Sequence, residues 1–204
     1  MFVLFDLETG GLNPEKNPIL QGFFLVTDEK LTPIEEFEFY VKPSTIPEGL
    51  RNIEEEALKV NNLSLEHLEN IGIGYAEALK HLESFLSKYK PIQPVGYNVL
   101  FDISFLAKNI QSINSIFSHK YVDIYSAVNF LKLCDIVPQS IGSLGSLGRS
   151  LGLSPSSALH NAKADVYYLR DVVLKLAEEV RIRSSKILGL DMEDASRILI
   201  NLNL

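Results

Sequence analysis

Two carboxylates spaced two residues apart, Asp6 and Glu8, end the apolar run Phe2-Val3-Leu4-Phe5, and a glycine loop, Thr9-Gly10-Gly11-Leu12-Asn13-Pro14, follows them. Strand side chains alternate between faces, so a strand here projects both acids from the same side. Neighbouring carboxylates repel and raise each other's pKa unless a cation lies between them. A bare Asp-x-Glu is also an ordinary solvated strand end. Delivered by a buried-looking strand to its tip, the pair reads instead as a site for a hard cation, which prefers oxygen ligands. Asp102 stands just past a strand end and near a helix start, where its bland role is to complement the helix dipole for about 0.3–1 kcal/mol. His160 precedes a long helix that carries Asp165 in its opening turns. Singly these are a loop histidine and another dipole partner. Together they add one proton acceptor and one more hard oxygen ligand.

The surrounding pattern says which elements must position these groups. Phe2 to Asp6 reads as a strand, and Ile19 to Thr27 and Ile34 to Val41 as two more, with a turn around Asp28-Glu29-Lys30 between them. Glu54 to Val60 reads as a short helix. Tyr75 to Tyr89 is a longer one, with Ala78, Leu79, Leu82, Phe85 and Leu86 at helical spacing. Ile92 to Tyr97 is a strand, Leu100 to Ile110 a helix, Tyr121 to Asp123 a short strand, and Ile124 to Leu133 a helix. In Ser143 to Gly152 the leucines 144, 147 and 151 share one helix face. Gly145 and Gly148 each cost about 1 kcal/mol there relative to alanine, which implies close backbone packing rather than a linker. Ala162 to Val180 is the longest helix, and Asp191 starts a last short one carrying Ala195, Ile198, Leu199 and Leu202. The order predicts an α/β domain over residues 1–180, built on a mixed five-stranded sheet whose first strands are antiparallel. A helical tail, 181–204, either packs on that domain or docks a partner.

Composition bounds the function. At 204 residues with 46% apolar and 22% charged residues, the chain suits one globular domain with a sizeable core. No apolar run approaches the roughly 18 residues that span a bilayer, and Met1 leads into Phe2-Val3 without a signal-peptide pattern, so a cytoplasmic protein with no membrane partner is expected. A net charge of −7 argues against a protein that coats nucleic acid with a basic face. It is compatible with one that reaches phosphate through bound cations. The one cysteine, Cys134, has no zinc-like company and reads as a buried thiol in a helix.

In order along the chain, Phe5-Asp6-Leu7-Glu8-Thr9-Gly10-Gly11-Leu12, Asn98-Val99-Leu100-Phe101-Asp102 and His160-Asn161-Ala162-Lys163-Ala164-Asp165 reproduce a family pattern. The chain resembles the DEDD exonuclease superfamily, histidine subtype, which includes proofreading subunits of bacterial replicases, RNase T and oligoribonuclease. The likeness spans about residues 2–177 and includes a leucine-rich helix, Leu144 to Gly152, ahead of the third motif. Thr9-Gly10-Gly11-Leu12 departs from the family's usual Thr-Thr-Gly-Leu, and Tyr97-Asn98 from its usual His-Asn. Neither is a ligand position.

The resemblance implies an RNase H-like exonuclease fold and a 3′–5′ exonuclease releasing nucleoside 5′-monophosphates. It implies two divalent cations, Mg²⁺ or Mn²⁺. Asp6 would bridge them, Glu8 and Asp165 complete one site, Asp102 support the other, and His160 act as general base. By the same likeness Thr9 and Gly10 meet the terminal 3′-OH and Leu12 the last base, with Asn98 beside them. Phe105 lines that pocket or packs in the core, and Lys163 meets a backbone phosphate or stays solvated. Expected partners are 3′ ends, single-stranded DNA before RNA, and through the tail a second copy or a DNA polymerase. The rival readings are an oligoribonuclease-like RNA trimmer and an inactive scaffold. The latter is disfavoured because all four acids and the histidine are present. Because four converging carboxylates oppose folding without metal, saturating Mn²⁺ or Mg²⁺ should raise the melting temperature. A melt that ignores both ions would count against the site.

Overall fold

The computed structural model describes residues 1–154 and 161–188. Five strands, β1 (Phe2–Thr9), β2 (Ile19–Thr27), β3 (Pro33–Tyr40), β4 (Gln93–Gly96) and β5 (Val122–Asp123), form one sheet in the order β3-β2-β1-β4-β5. The first three are antiparallel neighbours, and β4 and β5 run parallel to β1, giving the mixed sheet expected. β1 continues to Thr9, three residues beyond the predicted end, because its ladder with β2 persists through Glu8 opposite Gln21. All nine residues of β2 are buried, whereas edge strand β3 is mostly exposed or half-buried.

Helices cover both faces. On one side lie α1 (Glu55–Val60), α2 (Leu65–Ile71), α3 (Tyr75–Ser87), α4 (Val99–Asn109) and α5 (Ile113–Ile116). Helix α3 buries Ala78, Leu79, Leu82, Phe85 and Leu86, the face the spacing predicts. They join Val3, Phe5 and Leu7 of β1 in one core cluster, where the Phe5 and Phe24 rings stack at 5.1 Å. On the other side lie α6 (Ile124–Leu133), α7 (Leu144–Ser150) and α8 (Ala162–Leu188). Their Ile124, Val128, Leu147, Val166 and Leu169 pack on Leu4, Phe23 and Leu25. β1 therefore feeds alternate residues into two cores, with Leu4, Asp6 and Glu8 on the α8 side.

Helix α8 does not end near Val180 but continues through Arg181 to Leu188; the predicted final helix after Asp191 lies outside the described residues. Cys134 corrects an expectation: it is exposed. It follows the last residue of α6, beyond the face that buries Ile124 and Val128, and Leu133 beside it is 83% exposed. Among the described residues no helix is long and apolar enough to cross a membrane.

Ser143 opens α7 with a capping box to Ser146, and Gly148 then lies against α8. A Cβ built on Gly148 would stand 2.0 Å from the Tyr168 hydroxyl and 3.0 Å from Val172. A Gly148→Val variant should lose about 1–3 kcal/mol of unfolding free energy in a urea melt, the usual cost of overpacking. Wild-type stability would mean that α7 and α8 are not held in this close approach.

Candidate active site

Asp6 and Glu8 reach the α8 side of the sheet near the C-terminal end of β1, in register with Phe23 and Gln21 of β2. On its other edge β1 pairs with β4 only from Phe2 to Leu4, since β4 ends at Gly96. The Leu7 N–H, left without a strand partner, donates instead to Asp102 Oδ1 at 3.1 Å. The first turn of α4 thus fills the gap where the two parallel strands part, the usual location of ligands in open α/β sheets.

Asp123 sets where α4 begins. Its Oδ1 accepts from the Asn98 and Val99 N–H groups at 2.7 and 3.2 Å, while Oδ2 accepts from the Ser126 N–H at 3.2 Å. One side chain therefore serves the starts of both α4 and α6. Asn98 takes the left-handed conformation (φ 63°) needed to turn from β4 into the helix, a state asparagine tolerates better than most residues.

Asp165 comes from the first turn of α8. The Asn161 side-chain oxygen accepts from the Ala164 N–H at 3.2 Å, and the Asp165 N–H donates to the Asn161 carbonyl at 2.9 Å. Three residues after buried Ala162 and four before buried Leu169, Asp165 lies on the sheet-facing side of the helix. Carboxylate oxygens of Asp6, Glu8 and Asp165 lie within 4.8 Å of one another. Asp102, 6% exposed, approaches the group from α4. His160 is outside the described residues.

Burial and mutual repulsion act on Asp6, Glu8 and Asp102. Burial first, then the charge of Asp165, raises Asp6 from its ordinary 3.8 to about 7. Burial, then Asp6, then Asp165, raises Glu8 from 4.5 to about 8. Asp102 is pushed well above 3.8 by burial and then by Asp6, against the opposing pull of the Leu7 N–H. An all-oxygen set that resists ionising together is what a hard divalent cation relieves, so these residues fit such an ion.

The glycine loop is tied down from behind. Asn17, fully buried, accepts from the Asn13 N–H at 2.7 Å and donates to the Asn52 carbonyl at 2.7 Å and to Glu54 Oε1 at 3.2 Å. A Cβ on Gly11 would stand 2.5 Å from both the Asn17 amide and Glu54 Oε1, so only glycine fits there. The Gly10 N–H donates to the Pro18 carbonyl at 2.8 Å, and the Asn61 amide to the Thr9 carbonyl at 3.0 Å.

Beside this loop is a pocket of about 300 Å³ lined by Leu7, Thr9, Gly11, Leu12, Asn61 and Phe101, among others. Leu7 and Thr9 bracket Glu8, Phe101 adjoins Asp102, and Leu12, 80% exposed, stands at the rim. Phe105 is fully buried in the core behind it, its ring 5.1 Å from that of Phe101, so the aromatic side chain lining the pocket is Phe101. Lys163 Nζ pairs with Glu36 on β3 at 2.8 Å and lies 5.1 Å from the Phe23 ring centroid. Phe101 was recognisable, sitting one turn before Phe105 and next to Asp102. Asn17, Asn61 and Asp123 carry no such signal, because each acts through contacts distant in sequence.

A family model described as an exonuclease matches residues 3–173. Oligoribonuclease of Tropheryma whipplei is 26% identical over 129 residues, covering 61% of this chain and 68% of that protein. The PolC-type DNA polymerase III of Mycoplasmopsis pulmonis is 28% identical over 176 residues, covering 85% of this chain but 11% of the polymerase. Among solved structures, zinc-bound E. coli exonuclease I in complex with single-stranded DNA superposes with a TM-score of 0.69 at 21% identity, covering 87% of this chain and 40% of that one.

The raised carboxylates have a consequence for stability. A group whose folded pKa lies above its unfolded value favours folding fully below the unfolded pKa and loses that effect as pH climbs through the folded one. For Asp6 and Glu8 the window runs from about 4 to about 8. Chelator-treated protein should therefore melt at a higher temperature at pH 5 than at pH 8, with Mn²⁺ restoring stability at pH 8. Asp165→Asn should flatten both responses in differential scanning fluorimetry; an unchanged Mn²⁺ response would remove Asp165 from the site. The matching family, the sheet and helix order, and the convergence of Asp6, Glu8, Asp102 and Asp165 where β1 and β4 part agree: this chain belongs to the exonuclease family, within the DEDD superfamily of 3′–5′ exonucleases, whose members use divalent metals.

Proposed function

We propose that this chain removes nucleoside 5′-monophosphates one at a time from nucleic acid 3′ ends, with single-stranded or frayed DNA as its preferred substrate. The observation that carries this reading is the meeting of Asp6, Glu8 and Asp165 oxygens within 4.8 Å, near a pocket of about 300 Å³ lined by Leu12 and Phe101. Asp6 would be shared by two cations, Glu8 and Asp165 would complete one site, and Asp102 would support the other. Two Mg²⁺ or Mn²⁺ ions, when bound, supply positive charge to the attacking and leaving oxygens of an in-line displacement. His160 takes a proton from the attacking water, a role to which histidine is chemically suited near neutral pH. The water oxygen forms the new bond to phosphorus, and the 3′-oxygen of the penultimate nucleotide departs with a proton.

The residues around the carboxylates set the polarity of attack. The Thr9–Gly10 backbone, held by Asn61 and Pro18, is assigned to the terminal 3′-OH, and Leu12 and Phe101 to the faces of the last base. Stacking is tolerant of base identity, so little sequence preference is expected. The DNA assignment draws on the single-stranded DNA bound by E. coli exonuclease I and on the polymerase relative, which also makes a polymerase a candidate partner. The second reading, trimming of short RNA, draws on the relatives named oligoribonuclease.

Degradation of 3′- and 5′-labelled DNA and RNA oligonucleotides with Mn²⁺ tests both. Shortening from the 3′ end alone, slowed roughly 10²–10⁴-fold by His160→Ala, is the expected result. The ratio of DNA to RNA rates assigns the substrate. Intact oligonucleotides of every kind in the presence of bound metal would leave a nucleic-acid-binding scaffold as the better description.

A further inference from the structure

Helix α8 makes polar ties to the sheet on a flank that carries none of the acids. Lys163 Nζ lies 2.8 Å from Glu36 Oε2, and the Tyr167 hydroxyl donates to the other oxygen of the same carboxylate. Beneath them is Phe23, its ring 5.1 Å from Lys163 Nζ and 6.0 Å from the Tyr167 ring. One helical step further, Arg170 Nε donates to the Leu31 carbonyl at 2.7 Å. Residues 163, 167 and 170 recur at the spacing of a single helix flank, here turned to β2 and β3.

Asp165 falls between Lys163 and Tyr167 in sequence but roughly 200° around the helix from Lys163 at 100° per residue. It therefore faces Asp6 and Glu8 on β1 while its two neighbours grip β3. We propose that Glu36 is a positioning residue of the carboxylate site: by holding Lys163 and Tyr167, two residues before and two after Asp165, it sets the roll of α8 and so the approach of Asp165 to Asp6 and Glu8. The inference rests on the reading of these carboxylates as a metal site.

The magnitudes separate this role from a stabilising one. Both Lys163 and Glu36 are over a third exposed, and such pairs contribute only about 0–1 kcal/mol. Position is more sensitive. A roll of about 20° on a Cα radius of 2.3 Å moves the Asp165 backbone by about 0.8 Å, beyond the roughly 0.5 Å within which a site must be held. The apolar contacts of Val166 and Leu169 fix the depth of the helix on the sheet, but such packing is non-directional. Phe23 reinforces the arrangement, being directly opposite Asp6 in the β1–β2 register.

The test is Mn²⁺ binding by isothermal titration calorimetry, with melting temperatures of the metal-free proteins measured alongside. Glu36→Ala should weaken Mn²⁺ binding about tenfold, the lower range for residues that orient metal ligands. Its metal-free melting temperature should fall by no more than about 4 °C. Glu36→Gln keeps an oxygen for the Tyr167 hydroxyl and should recover most of the affinity. Should Glu36→Ala not fold, Tyr167→Phe removes one tie, keeps the ring on Phe23, and should still weaken binding about threefold. Wild-type Mn²⁺ affinity in these variants, with or without a lower melting temperature, overturns the proposal and leaves Glu36 a surface ion-pair partner. A wild-type protein that binds no Mn²⁺ overturns the metal reading first and this inference with it.

Discussion

The structure is organised around a contact that opposes its own folding. Asp6, Glu8 and Asp165 oxygens converge within 4.8 Å, and Asp102 is buried close by. Like charges in a partly buried place lose both hydration and mutual distance, which is why the Asp6, Glu8 and Asp102 carboxyls are displaced upward from their ordinary values. The arrangement survives because it sits at the edge of two large apolar clusters, one on each face of the sheet. Their burial offsets the local repulsion, and a hard divalent cation removes it. Strain of this kind concentrated at one point is what a functional site looks like when the rest of a chain is locally consistent.

Each supporting element answers the same requirement. β1 is long enough to carry two acids past the last residue that pairs with β4, and the short β4 leaves room for α4 to bring in a third. The Leu7 N–H to Asp102 bond joins strand to helix at that gap, so backbone satisfaction and placement of the acid are achieved together. Asp123 fixes the start of α4, and Asn17 and Asn61 fix the loop after β1. α8 is registered from both sides, by apolar packing along its buried face and by Glu36 and Leu31 along its flank. These are polar ties, which hold direction where apolar contacts hold only proximity.

The division of labour between the pocket and the carboxylates follows from strand alternation. Leu7 and Thr9 turn to the pocket side and Asp6 and Glu8 to the α8 side, so a single strand separates the pocket from the carboxylates. The loop that closes the pocket must pass close to Asn17 and Glu54, and Gly11 is the residue that allows it.

Much of this was legible in the sequence because it is local. Alternation from Phe2 to Glu8 places two acids on one face, helical spacing from Tyr75 to Leu86 defines a buried stripe, and Gly148 before Arg149 marks a close helix contact that Tyr168 occupies. The motifs carried the family for the same reason: each is a short run of sequence. Tertiary structure decided what depends on residues far apart. It made Phe101 rather than Phe105 line the pocket, exposed Cys134, directed Lys163 to Glu36, and assigned Asp123, Asn17 and Asn61 to hold backbone they do not adjoin. A residue's period along the chain sets which way it points within its own strand or helix. Which partner waits there is set by the crossing of elements, and no local pattern encodes that crossing.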